Sequence, residues 1–114
     1  MFTIIHGTEY ELATTLRVAY KVQGQHNHKP YAEVFKGLNE MVLEDQIRII
    51  YASFQCANKE VAEKLKFADF LEYYLDHYNL KEVMDQLQYI VKGILGESSE
   101  SEEEVPEVAS DPEE

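Results

Sequence analysis

The first twelve residues alternate in a strand-like way. In FTIIHGTEYEL, β-branched and aromatic residues flank Gly7-Thr8, a pair suited to a glycine-first two-residue turn, which predicts a β-hairpin over residues 2–12. That turn sets Ile5 opposite Tyr10 and Thr3 opposite Leu12 on one face, with Glu9 and Glu11 on the other. Two strands alone are marginal in water, so the hairpin must lie on helices or pair with another chain. The second option makes Phe2, Ile4, Ile5 and Tyr10 the candidate contact between copies of the protein.

From Ala13 the period becomes helical. Leu12, Leu16, Ala19 and Tyr20 share a stripe that ends near Gly24, in the polar stretch GQHNHK. Pro30 is placed to start a second helix, with Tyr31, Val34, Phe35, Leu38 and Met41 recurring at three- and four-residue steps and Gly37 weakening it. The third helix, LEDQIRIIYASFQCA, aligns Leu43, Ile47, Ile50, Tyr51 and Phe54, while Glu44, Asp45, Arg48 and Gln55 point away. Residues 58–66 read either as a short helix around Val61 and Leu65 or as a connection. A fourth helix aligns Phe67, Phe70, Leu71, Tyr74 and Tyr78. The fifth starts at a capping box, with Asn79 as cap, Glu82 three positions on, and Tyr78 and Val83 spaced as a hydrophobic staple; Gly96 ends it. The predicted fold is mainly α, about five helices with a short N-terminal hairpin, forming one domain over residues 1–96.

Charge divides the chain sharply. Residues 97–114 hold eight Glu, one Asp and no Lys or Arg, so they contribute −9 of the formal −12 and leave the first 96 residues near neutral at −3. Ser, Glu, Pro and Asp cannot offset ordering entropy by burial, which predicts a disordered acidic tail. Without a Lys/Arg cluster the chain is not expected to bind nucleic acid or an anionic membrane surface. No apolar run reaches the roughly 20 residues of a bilayer span. The start does not read as a signal peptide, and a single cysteine, Cys56, fits a reducing compartment, so a cytoplasmic location is expected.

Candidate chemistry is sparse. His26 and His28 in HNH lack a surrounding ligand set and read as a solvated loop, so no metal is expected. His6 and His77 are isolated. Cys56 stands on a helix beside core residues and reads as a packed thiol. Paired helix carboxylates such as Glu44 with Asp45 read as solvated faces. No phosphate loop, nucleophile elbow or zinc framework is present, and the chain reads as a non-enzyme without a cofactor. What remains is binding surface. In the last two helices Tyr73, Leu75, Tyr89, Val91 and Leu95 fall outside the main apolar rows. Phe70, Tyr73, Tyr74, Tyr78, Leu87, Tyr89, Val91 and Leu95 are the candidate partner-binding residues, although the same tyrosines could equally complete a small core.

Three segments, FTIIHGTEYELATTLRVAY, LNEMVLEDQIRIIYASF and FADFLEYYLDHYNLKEVMDQLQYIVKGILG, together resemble the small tail assembly chaperones of long-tailed phages and prophages, commonly of Gram-positive hosts. The likeness is one of layout: a strand, glycine turn, YEL and helix, then LEDQI opening a helix, then a final helix pair and a charged tail. It implies a non-enzymatic chaperone that binds the tape measure protein and keeps it soluble while tail tube subunits polymerise around it in the host cytoplasm. Such chaperones are typically absent from the mature virion. The resemblance also implies a longer form, made by ribosomal frameshift near Gly96, that recruits the tail tube protein. The alternative is an acidic helical inhibitor or adaptor, a nucleic-acid mimic or antitoxin-like module.

Overall fold

The structure, a computed structural model, describes residues 1–96; the acidic segment 97–114 lies outside the described residues, and with it the expectation of a disordered tail. Two strands, β1 (Phe2–Ile5) and β2 (Thr8–Glu11), precede six α-helices: α1 (Leu16–Gln25), α2 (Tyr31–Lys36), α3 (Leu43–Ala57), α4 (Lys59–Lys64), α5 (Phe67–His77) and α6 (Leu80–Leu95). A 3-10 turn, Leu38–Glu40, links α2 to α3.

The strands pair antiparallel as predicted, but in a different register. Thr3 faces Tyr10 and Ile5 faces Thr8, so the turn is His6-Gly7 and not Gly7-Thr8. Both turn residues have left-handed backbones, φ 52° at His6 and 82° at Gly7, the pattern of a type I′ turn whose twist matches the strands. The register moves by two residues, and because side chains alternate with period two the faces are preserved. Thr3 and Ile5 are buried, and Phe2, Ile4, Glu9 and Glu11 face outward.

The first helix begins later than its apolar stripe suggests. Ser53 on α3 holds the chain extended at Ala13: its carbonyl accepts from the Ala13 N–H at 3.3 Å and its hydroxyl donates to the Ala13 carbonyl at 2.6 Å. The helix therefore starts only at Leu16, with Val18, Ala19 and Val22 buried and Leu16 and Tyr20 in solvent. Gly37 ends α2 after six residues, where a longer helix was predicted. Of the two readings of residues 58–66 the short helix is the one found: α4 lies there and buries Ala62.

Helix α3 is the axis of the fold, packing against β2, α1, α4, α5 and α6. It buries eight consecutive or near-consecutive positions, including Gln46 and Ser53, whose polar groups are satisfied by the Leu38 and Ala13 carbonyls. Around it a single cluster of buried residues runs from Ile5 on β1 to Ile90 on α6. Aromatic rings thread its α5 side: Phe70 lies 5.1 Å from Phe54, 5.0 Å from Tyr51 and 4.8 Å from Tyr74, between centroids. Helix α6 has its capping box formed, with Asn79 Oδ1 accepting from the Glu82 N–H and Glu82 Oε1 from the Asn79 N–H, each at 2.9 Å. Gly96, at φ 83°, ends it in the left-handed conformation.

Candidate functional site

The residues singled out on α5 and α6 separate into two groups. Phe70, Tyr74 and Leu87 are fully buried in the core, so they hold the fold together and meet no partner. Tyr73, Tyr78, Tyr89 and Val91 are half-buried against that core, and Leu95 is exposed. Periodicity missed this because Phe70, Tyr74 and Leu87 lie on the rows that α3 covers, and a surplus of apolar rows does not say which row stays open.

The tyrosine hydroxyls instead fasten the hairpin to the last two helices. Tyr74 Oη lies 2.6 Å from Thr3 Oγ1 and donates to Gln86 Oε1 at 2.7 Å; Tyr78 Oη lies 3.0 Å from Thr3 Oγ1 and accepts from the Ile4 N–H at 2.8 Å. Each hydroxyl has one proton to give: Tyr74 donates to Gln86, Thr3 to Tyr74, and Tyr78, which accepts from the Ile4 N–H, shares its proton between Thr3 Oγ1 and the Ile4 carbonyl at 3.1 Å. Hydrogen bonds in such a series polarise one another in a low-dielectric interior. Burial pushes the Tyr74 hydroxyl well above the ordinary tyrosine range, outweighing the opposite effects of its bonds to Thr3 and Gln86.

The proposed contact between copies is also redistributed. Ile5 lies in the core, and Tyr10 is half-buried with its ring edge-on to Phe54 at 5.3 Å. Only Phe2 and Ile4 present side chains outward. At the β2 edge the Glu11 carbonyl accepts from Asn58 Nδ2 at 2.9 Å. Both edges are thus partly closed by the protein's own side chains, which limits strand addition by a second copy.

A further open apolar surface lies away from the hairpin. Where α1, α2 and the end of α6 meet, a cleft of about 170 Å³ is lined by Leu16, Ala19, Tyr31, Ile94 and Leu95. Leu16 is 76% exposed, Leu95 48% and Tyr31 44%, and Tyr20, one helical turn beyond Leu16, is 72% exposed. Leu16, Tyr20 and Tyr31 stand on the apolar stripes that the sequence predicts for the first two helices, and the structure leaves all three exposed. For Leu16 and Tyr20 the signal in the sequence is the second apolar row of the first helix, Val18 and Val22, which is the row that becomes buried.

Cys56 and the four histidines lie outside the lining of that cleft. Burial raises the Cys56 thiol above its ordinary pKa despite the opposing charges of Lys21, Arg17 and Lys59, so the reactive thiolate is disfavoured. His26 and His28 belong to the tight turn after α1, where the His28 N–H donates to the Gln23 carbonyl at 2.7 Å. His6 meets Tyr73 edge-on at 5.0 Å, and His77 stacks on the same ring at 4.2 Å, between centroids. Among the described residues no group of three or more His, Cys, Asp or Glu could hold a metal ion, and no helix is long and apolar enough to cross a membrane. No protein-family model matches the chain, and comparisons with curated proteins and with solved structures give no match.

Proposed function

We propose that the protein is a tail assembly chaperone that acts by binding, without catalysis, and holds a helical, aggregation-prone tape measure protein in solution. Two things support the reading: the layout it shares with that family, and the apolar cleft between α1, α2 and α6. The cleft is the observation that carries it. An amphipathic client helix docks by inserting apolar anchors into such a groove, and Leu16, Tyr31 and Leu95 offer the rim for one. The −9 charge of residues 97–114 would keep the complex dispersed while the client's own apolar faces are covered. On this reading the protein works in the host cytoplasm, is left out of the finished virion, and reaches the tail tube protein through a longer, frameshifted form.

The test is co-expression with the tape measure protein followed by pull-down, comparing the native chain with a Leu16→Glu, Leu95→Glu variant whose circular dichroism shows an intact helical fold. Capture by the native chain and its loss in the variant are expected. Equal capture by both would exclude the cleft as the client site, and no capture by either would remove the chaperone reading.

A further inference from the structure

A second cleft, of about 380 Å³, opens on the other side of α1. Arg17 and Lys21, one turn apart on α1, face Lys59 and Lys66 across it, with Gln55, Cys56, Ala62 and Glu63 completing the lining. Four of the ten basic residues of the chain converge there against one carboxylate, on a body whose net charge is −3. Among the described residues the ion pairs are Glu44 with Arg48 and Lys81 with Asp85, and none of the four cleft cations belongs to either. Like charges gathered around one cavity repel, so the arrangement favours an anionic occupant.

We infer that the chain's own acidic segment docks in this cleft, the carboxylates of residues 100–104 pairing with Arg17, Lys21, Lys59 and Lys66. Where the described residues end supports it. Ile94 and Leu95 line the apolar cleft together with Leu16 and Ala19, and Gly93 lies against Thr14, so the end of α6 stands beside the first turns of α1. From Gly96, Glu100 to Glu104 are within a reach of roughly 13–28 Å of extended chain, against about 10–12 Å to pass around a helix. The three adjacent carboxylates Glu102, Glu103 and Glu104 repel one another wherever no cation lies near, and the cleft supplies cations at several points. Each exposed pair is weak, but the segment is tethered, and a tethered ligand competes at a high effective concentration. Docking would hold the acidic segment over α1, next to the proposed client cleft but independent of the client's identity.

Zero-length carbodiimide coupling of the full chain, mapped by mass spectrometry, tests the inference directly. Lys21, Lys59 and Lys66 should couple to residues 100–104 within one chain, in preference to Lys29, Lys36, Lys81 and Lys92, and the preference should vanish at about 1 M salt, where the Debye length is near 3 Å. Cys56 gives a second readout. A cleft covered two-thirds of the time is labelled about threefold more slowly, so the full chain carrying Glu100→Gln, Glu102→Gln, Glu103→Gln and Glu104→Gln should react with a thiol reagent about threefold faster than the native chain. Coupling spread evenly over all the lysines, coupling only between chains, or an unchanged thiol rate would overturn the proposal.

Discussion

The Tyr78 hydroxyl clasps both backbone polar groups of Ile4, accepting from the N–H at 2.8 Å and reaching the carbonyl at 3.1 Å with the one proton it shares between that oxygen and Thr3 Oγ1. In the observed register Ile4 faces Glu9 at a pair that exchanges no ladder bonds, so these groups point to the free edge of β1. A side chain from the end of α5 thereby takes the place that a third strand would occupy, and ties the first strand to a residue 74 positions away.

Replacing Tyr78 by Phe should therefore loosen the hairpin more than the fold. The expected loss is about 1–2 kcal/mol in urea denaturation. Amide exchange at Ile4 should accelerate more than exchange in α3, and light scattering should show concentration-dependent association if the freed edge recruits a second copy. Unchanged exchange at Ile4 would show that the clasp contributes nothing to holding the edge.

Tyr74→Phe removes a buried hydroxyl whose loss leaves Thr3 and Gln86 short of a partner, at an expected cost of about 1–3 kcal/mol near neutral pH. Its pH dependence has a definite sign. The folded state holds Tyr74 protonated where the unfolded chain ionises, so the native protein loses stability as pH rises past about 10, by at most ~1.4 kcal/mol per pH unit from this group. The variant lacks that contribution. The stability difference between native chain and variant should narrow steadily above pH 10 in denaturant titrations; a constant difference would contradict the burial of the hydroxyl.

Gly93 is the point where α6 approaches the chain ahead of α1. A Cβ there would overlap the side chain of Thr14, so Gly93→Ala should destabilise by about 1–3 kcal/mol, despite the better helix propensity of alanine. For a domain of this size each kcal/mol corresponds to roughly 4–8 °C in Tm. Adding Thr14→Gly should recover part of the loss, since it removes the atoms in conflict.

Asn79→Ala breaks both halves of the capping box and should cost about 1 kcal/mol, with increased exchange in the first turn of α6. Substitution by Asp should be nearly neutral, because a carboxylate caps equally well and suits the helix N-terminus.

Leu16→Ser with Tyr20→Ser gives the opposite kind of result. Both side chains stand in solvent, so stability should change by no more than about 0.5 kcal/mol, while binding of an apolar dye and of a client helix should fall. A large loss of stability would mean that these residues are packed, and the cleft would lose its claim as a docking surface.

Much of the architecture was legible in the residues themselves because it rests on local rules. Alternation set the faces of the hairpin, the spacing of Ile47, Ile50, Tyr51 and Phe54 set the buried side of α3, although Leu43 at the start of that stripe stays exposed, and the Asn79–Glu82 box and Gly96 set both ends of α6, each through contacts within a few residues of one another. Tertiary packing decided what local rules leave degenerate. The turn fell on His6-Gly7 because the strands' twist favours two left-handed residues. The first helix exposed Leu16 and Tyr20 because the row it buries is that of Val18 and Val22. Phe70, Tyr74 and Leu87 became core while Leu16, Tyr31 and Leu95 stayed open where α1, α2 and α6 meet, since a helix with several apolar rows buries the ones its neighbours reach.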